Sequence, residues 1–255
     1  MLSKAHIFDK LALPLLVVGG VLVTVAFVLA FTVAPLVSGE AVSSGFLEID
    51  GHFITNKLLL SQKIFYFHMP VAVVSMAALL FTAIYSILFL KTRESSYDLR
   101  ARLATEVSLV FVLMTMVSGE LWERYEWGVW WTWEPRLTTY FILMLLVVGY
   151  FIVRNAVSDP ERRAVYSSVL GIIIFIDVPI CFMVTRLIPS SVHPVIFRTD
   201  SGLPPPMLIP LLMALVGFGC IAFALYRQRL RAEQLRERVE ALKIKLDEAT
   251  DPGRE

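Results

Sequence analysis

Six long stretches of this 255-residue chain carry no charge or almost none, and each is near the roughly 20 residues a helix needs to cross a hydrocarbon core. In lipid a backbone must satisfy its own polar groups, so runs of this kind fold as helices. They extend over Leu11–Gly39, Ile64–Leu90, Leu103–Leu121, Leu137–Val153, Ala164–Thr185 and Pro206–Tyr226. The first is far longer than the apolar region of a signal peptide and has no clear small-x-small cleavage site, so it is expected to be retained. The expected fold class is therefore all-α: a polytopic membrane protein of six transmembrane helices, with residues 1–226 as the membrane domain. Composition agrees, with 57% hydrophobic and 18% charged residues and a mean hydropathy of +0.70. The connecting loops and one charged tail leave too little chain for a soluble catalytic, nucleotide-binding or periplasmic binding domain. No G-x-x-x-x-G-K-[ST] is present, so ATP-driven transport by this chain alone is not expected.

An even number of spans puts both termini on one side. The two terminal segments and the loops around residues 91–102 and 154–163 hold Lys4, Lys10, Lys91, Arg93, Arg100, Arg102, Arg154, Arg162, Arg163 and eight basic residues of the tail, or 17 of the 23 Lys and Arg. Lys57, Lys63, Arg124, Arg136, Arg186 and Arg198 fall on the other side. The positive-inside rule then makes both termini cytoplasmic. The tail, residues 227–255, alternates basic and acidic residues and spaces Leu235, Val239, Leu242 and Leu246 by four, three and four. This is a helical stripe on a charged rod, suited either to a solvated extension of the sixth helix near lipid headgroups or to docking a cytoplasmic partner. Cys181 and Cys220 lie inside apolar stretches without C-x-x-C or C-x-x-C-H, so they read as packing residues.

The unusual chemistry falls on the outer side. All five tryptophans, Trp122, Trp127, Trp130, Trp131 and Trp133, sit within twelve residues between the third and fourth spans, expected as an outer loop over residues 122–136. An interfacial belt would spread its Trp over many helix ends. Concentrated in one loop, the rings suit a planar apolar ligand. His68 lies at the entry of the second span and His193 just past the exit of the fifth, two imidazoles at matching depth that can ligate an iron from opposite faces of a porphyrin. His6 falls on the cytoplasmic side, and His52 reads as a solvated loop residue. Arg124, Arg136, Arg186 and Arg198 are candidate partners for propionates, with Arg136 best placed, although snorkelling at a helix end accounts equally for any one of them. Glu134 can pair with Arg136, cap the fourth helix or face a partner protein. Asp177, an ionisable group within a span, is either a site residue or a structural hydrogen-bonding group beside Pro179.

The run Trp127–Thr138, WGVWWTWEPRLT, resembles the tryptophan-rich "WWD" signature of the haem-handling proteins of cytochrome c biogenesis, and its RLT ending is most like the CcmC branch. The block Ile64–Met76, IFYFHMPVAVVSM, resembles that branch's first histidine motif. Glu134 stands where the signature usually has Asp, Pro194 where Gln is common, and RLIPSS where an aromatic pair often precedes the second histidine. The resemblance covers nearly the whole chain. It implies non-covalent, transient binding of haem b at the outer face of the cytoplasmic membrane. His68 and His193 would be the iron ligands, with Trp122, Trp127, Trp130, Trp131, Trp133, Glu134 and Arg136 around the macrocycle. It further implies presentation of haem to the chaperone CcmE, with CcmA, CcmB and CcmD as partners beside the lipid bilayer, no nucleic acid, and no enzymatic step on this chain. Competing readings are a b-type membrane cytochrome, which holds haem deep between facing helices, and the larger haem-delivery proteins of the other assembly route, which have more spans or an outer domain.

Overall fold

A computed structural model of the chain describes residues 2–35, 46–49, 52–188 and 203–250. Six helices account for nearly all of them: α1 (Leu2–Thr32), α2 (Asn56–Thr92), α3 (Ser95–Trp127), α4 (Pro135–Ala156), α5 (Pro160–Leu187) and α6 (Pro205–Thr250). All six are long and apolar enough to cross a membrane, so the chain is a multi-pass membrane protein. The helices outrun the charge-free stretches because helix continues into the interfaces. The exception is the first span, whose helix stops at Thr32 although the uncharged run continues to Gly39. Among the described residues there is one pair of strands. Strands β1 (Phe46–Ile49) and β2 (His52–Thr55) pair as an antiparallel hairpin between α1 and α2, with Ile49 opposite His52. The intervening Asp50-Gly51 is a strong two-residue hairpin signal.

Local chemistry places the helix ends. At α5, Asp159 is the N-cap, its Oδ1 accepting from the Arg162 N–H at 2.7 Å, and Pro160 takes the first turn, where no amide partner is needed. α2 and α3 are joined by a tight turn in which Arg93 adopts φ 61°, a left-handed conformation. Polar groups cap α1 from a distance. Lys63 of α2, 5% exposed, donates through Nζ to the carbonyls of Ala30 and Ala34, and Gln62 Nε2 donates to the Pro35 carbonyl at 2.7 Å. Lys63 is thus a buried tie across helices rather than an exposed loop charge.

α2 and α3 run antiparallel in one fixed register. Thr82 Oγ1 lies 3.1 Å from Thr105 Oγ1. Fourteen residues back along α2 and thirteen onward along α3, His68 meets Ser118. Buried Ala101, Ala104, Ser108 and Thr115 keep this face of α3 small, which lets two backbones approach in a membrane. α5 joins the pair where Gly171 leaves room for Thr82 and Ser86: a Cβ there would be 2.8 Å from Ser86 Oγ. α1 and α6 form a second close pair around Gly19 and Gly217; a Cβ on Gly19 would stand 2.7 Å from the Gly217 carbonyl oxygen. Apolar clusters fill between these pairs. One holds Leu79, Val112, Leu143, Val147 and Ile174, and another Val71, Val107, Phe111, Ala214 and Phe218. Cys181 is buried in the first cluster, and both cysteines are free, consistent with packing roles.

Alternating direction gathers the α2–α3 turn, the α4–α5 turn and the tail at one end. Charges there pair with one another. Arg154 forks onto Asp98 at 2.6 and 2.9 Å, Arg102 meets Glu233 at 3.1 Å, and Arg229 meets Glu106 at 2.9 Å. The tail is helical and continuous with the sixth span through Thr250. Arg154 and Asp98 are only 10% and 17% exposed, so removing one partner strands a nearly buried charge. Asp98→Ala is expected to destabilise the bundle by about 1–3 kcal/mol, read as a lower thermal midpoint in detergent. Arg154→Leu in the same chain should recover part of the loss, and an unchanged midpoint for Asp98→Ala alone would contradict the assignment.

Candidate functional site

The candidate site lies at the opposite end, where α2, α3 and α4 converge. His68 is 24 residues from the C-terminus of α2, about 36 Å along its axis at 1.5 Å per residue. A hydrocarbon core is only about 30 Å thick, so the imidazole reaches the far membrane boundary. Its Nδ1 lies 3.0 Å from Ser118 Oγ. The hydroxyl makes a shorter contact of 2.7 Å to the Met114 carbonyl, which can only accept. With the hydroxyl proton directed there, Nδ1–H donates to Ser118 and the lone pair resides on Nε2. Gly119 completes the seat: a Cβ there would come within 3.1 Å of His68 Cε1. Two residues beyond His68, Pro70 withholds an amide from the helix ladder. One helical turn further in, Ser75 Oγ and Tyr140 OH are 2.8 Å apart and tie α2 to α4.

The tryptophans do not form one uniform loop. Trp122 lies on α3 and Trp127 is that helix's last residue, so the segment outside helix is residues 128–134. Gly128, at φ 80°, makes the left-handed exit that a side chain would strain. Arg124 turns back to donate to the Gly128 carbonyl, and its guanidinium lies 5.6 Å from the centroid of the Trp130 ring. Trp122 and Trp127 pack edge to face at 5.1 Å. Trp131 packs the same way against Trp133 at 5.7 Å and Phe141 at 5.6 Å, anchoring the loop to α4. Exposure separates support from surface: Trp130 is 57% and Trp133 75% exposed, while Trp122, Trp127 and Trp131 are partly buried.

Of the three roles open to Glu134, the geometry realises the cap. One carboxylate oxygen accepts from the amides of Arg136 at 2.8 Å and Leu137 at 3.2 Å, with Pro135 at the first helical position. Thr138 Oγ1 adds a bond of 2.9 Å to the Glu134 carbonyl. Arg136, partly buried, lies within electrostatic reach of His68, Glu134, Tyr140 and Arg186. Arg186 sits over Phe182 at 5.3 Å. Asp177 stands apart from the loop and accepts from Cys181 Sγ at 3.6 Å, which favours its structural reading. His193 and Arg198 lie outside the described residues, and so does the His52 side chain. Among the described residues no three His, Cys, Asp or Glu side chains converge as a metal-binding group.

The sequence profile of the family described as "Heme exporter protein C", CcmC, matches residues 3–245. The chain belongs to the CcmC family. Over 187 residues it is 34% identical to the heme exporter protein C of Bradyrhizobium diazoefficiens, covering 71% of this chain and 70% of that protein. The Rhodobacter capsulatus protein of the same name is 26% identical over 183 residues, 71% of this chain and 76% of its own. The Escherichia coli K12 protein is 26% identical over 171 residues, with 67% and 69% covered. The CcmC match spans all six helices and most of the tail, so the described site lies wholly inside it.

Three contributors escape a reading of motifs. Ser118 and Gly119 face His68 only through the α2–α3 register. Glu123, one residue past Trp122, is 0% exposed beside Thr132 of the loop. A charge so near the end of a span was its only sequence signal. The cap makes a separate prediction. Glu134→Ala should cost this chain about 1 kcal/mol, lowering the thermal midpoint and weakening the near-ultraviolet dichroism of the Trp loop, whereas Glu134→Asp should retain most of both. Equal behaviour of the two variants would refute the cap.

Proposed function

We propose that this CcmC-family chain handles haem for cytochrome c biogenesis, binding it at the Trp-loop end and presenting it to the haem chaperone CcmE. The observation that carries this reading is the His68 seat. Ser118 holds Nδ1 and Gly119 clears the ring edge, so the imidazole at the membrane boundary is preset with its lone pair on Nε2. Such a hydrogen bond fixes ring orientation and raises ligand basicity, as second-shell partners of histidine ligands do. The second iron ligand in this proposal would be His193, which follows α5 in sequence and which the span count assigns to the same side.

The two exposed rings, Trp130 and Trp133, supply the apolar platform, and Trp122, Trp127 and Trp131 buttress it. Glu134 fixes where α4 begins and thereby where Arg136 stands, and Arg136 is the guanidinium offered to a propionate. Haem b is cargo here, held without a covalent bond. The 17-to-6 bias of basic residues supports cytoplasmic termini, which sets the Trp loop on the outer face of the cytoplasmic membrane. CcmA, CcmB and CcmD are the proposed neighbours. The chain binds and orients, while the covalent step is completed on a residue of the chaperone, so no enzymatic role is assigned to it.

Absorption spectra of the detergent-purified protein, as isolated and after dithionite, test the proposal. The unaltered chain should show six-coordinate low-spin haem, lost or strongly weakened in His68→Ala and in His193→Ala. Ser118→Ala should retain the site but reduce haem affinity about tenfold or more. Gly119→Ala should shift the spectrum by displacing the ring, and Trp130→Ala/Trp133→Ala should lower occupancy. Haem that is insensitive to both histidines, or absent after reconstitution, would sink the proposal.

A further inference from the structure

At 46 residues, α6 is about 69 Å long, more than twice the thickness of a hydrocarbon core. No Gly or Pro interrupts it after Gly219. Arg229 and Glu233 are clamped to Glu106 and Arg102 of α3, so the helix leaves the bundle in line with its span. Leu242 then stands nine residues, about 14 Å, beyond the last of these ties.

On this rod Leu235, Val239, Leu242 and Leu246 are 48%, 48%, 60% and 63% exposed, and their spacing of four, three and four is that of a coiled-coil seam. The flanks of the seam are all of one sign. Arg236, Arg238, Lys243 and Lys245 occupy every position beside it, and Arg229 and Arg231 do so one heptad earlier. The acids Glu237, Glu240 and Asp247 lie away from the seam, where Ile244 is the one large apolar residue exposed off the seam among the described residues. A second copy is a poor occupant, because parallel or antiparallel pairing would set base against base along both flanks. Lying flat on anionic lipid would require a bend that the clamped, uninterrupted helix does not provide.

We infer that residues 235–246 dock one helix of a partner protein, with an apolar seam flanked by Asp or Glu. By the charge bias that partner is cytoplasmic, at the end of the bundle remote from the Trp loop.

The test uses the full chain in phosphatidylcholine nanodiscs and two fluorescent synthetic helices. Both probes carry Leu and Val on the seam; one has Glu at every flanking position and its twin has Lys. Fluorescence anisotropy should show the Glu probe binding at least about tenfold tighter than the Lys probe. Reversal of Arg236, Arg238, Lys243 and Lys245 to Glu should invert that preference, and Leu242→Asp should abolish binding of both. Circular dichroism checks that each variant keeps its helix, and the inverted preference is a gain that unfolding cannot produce. Equal binding of the two probes, binding of neither, or association of the unaltered chain with itself through the tail would overturn the inference. So would quenching by lipid of a label at position 242 in phosphatidylglycerol nanodiscs, which would make the membrane surface the occupant.

Discussion

The approach of α2 to α3 governs everything at the Trp-loop end. Two helices in lipid gain little from apolar contact alone and associate through close packing and shared hydrogen bonds. Here the contact face carries Ala, Ser, Thr and Gly, and its hydroxyls meet across the interface at Thr82–Thr105. The tight turn at Arg93 and Glu94 fixes the register, and that register carries Ser118 and Gly119 to His68. A slip of one residue would rotate the α3 face by about 100° and leave the imidazole without its partner. The buried ties Ser75–Tyr140 and Lys63 to the end of α1 then bring α4 and α1 onto the same frame.

The Trp loop is held from both ends by charged side chains used as helix terminators. Arg124 satisfies a carbonyl where α3 ends, and Glu134 satisfies amides where α4 begins. With seven residues between the two helices, the chain has little freedom, and Trp131 packs against Phe141. What is left facing outward is Trp130 and Trp133. Packing costs are thus met by three of the tryptophans, which frees the other two as surface. Glu123 is buried beside Thr132 of this loop, a carboxylate held between the end of α3 and the loop chain.

Much of the fold was legible because its signals are local. A charge-free run forces a helix wherever water is absent, and the paired features Asp159-Pro160 and Glu134-Pro135 mark helix starts by cap chemistry alone. His68 could be placed at a boundary by counting residues from the positive loop. Hydropathy could not tell where α1 stops, since residues after Thr32 are as uncharged as those before it. The hairpin signal at Asp50-Gly51 was in plain view but lay outside the apolar runs. Lys63 entered only the count of outer-side charges because its partners, Ala30 and Ala34, are about thirty residues away. Five tryptophans looked equivalent because ring packing is a tertiary matter. Ser118 and Gly119 are small residues with no motif of their own; only a partner some fifty positions distant gives them a role.

In the proposed function the His68 imidazole, seated by Ser118 and Gly119, ligates haem iron. Chemical rescue tests it most directly. His68→Gly, loaded with haem and followed by absorption and electron paramagnetic resonance, is predicted to lose the low-spin six-coordinate signature. Added imidazole should restore it, with hyperfine coupling from isotopically labelled imidazole nitrogen appearing at the iron. A low-spin signature that persists in His68→Gly without imidazole, or that no imidazole restores, would contradict the account.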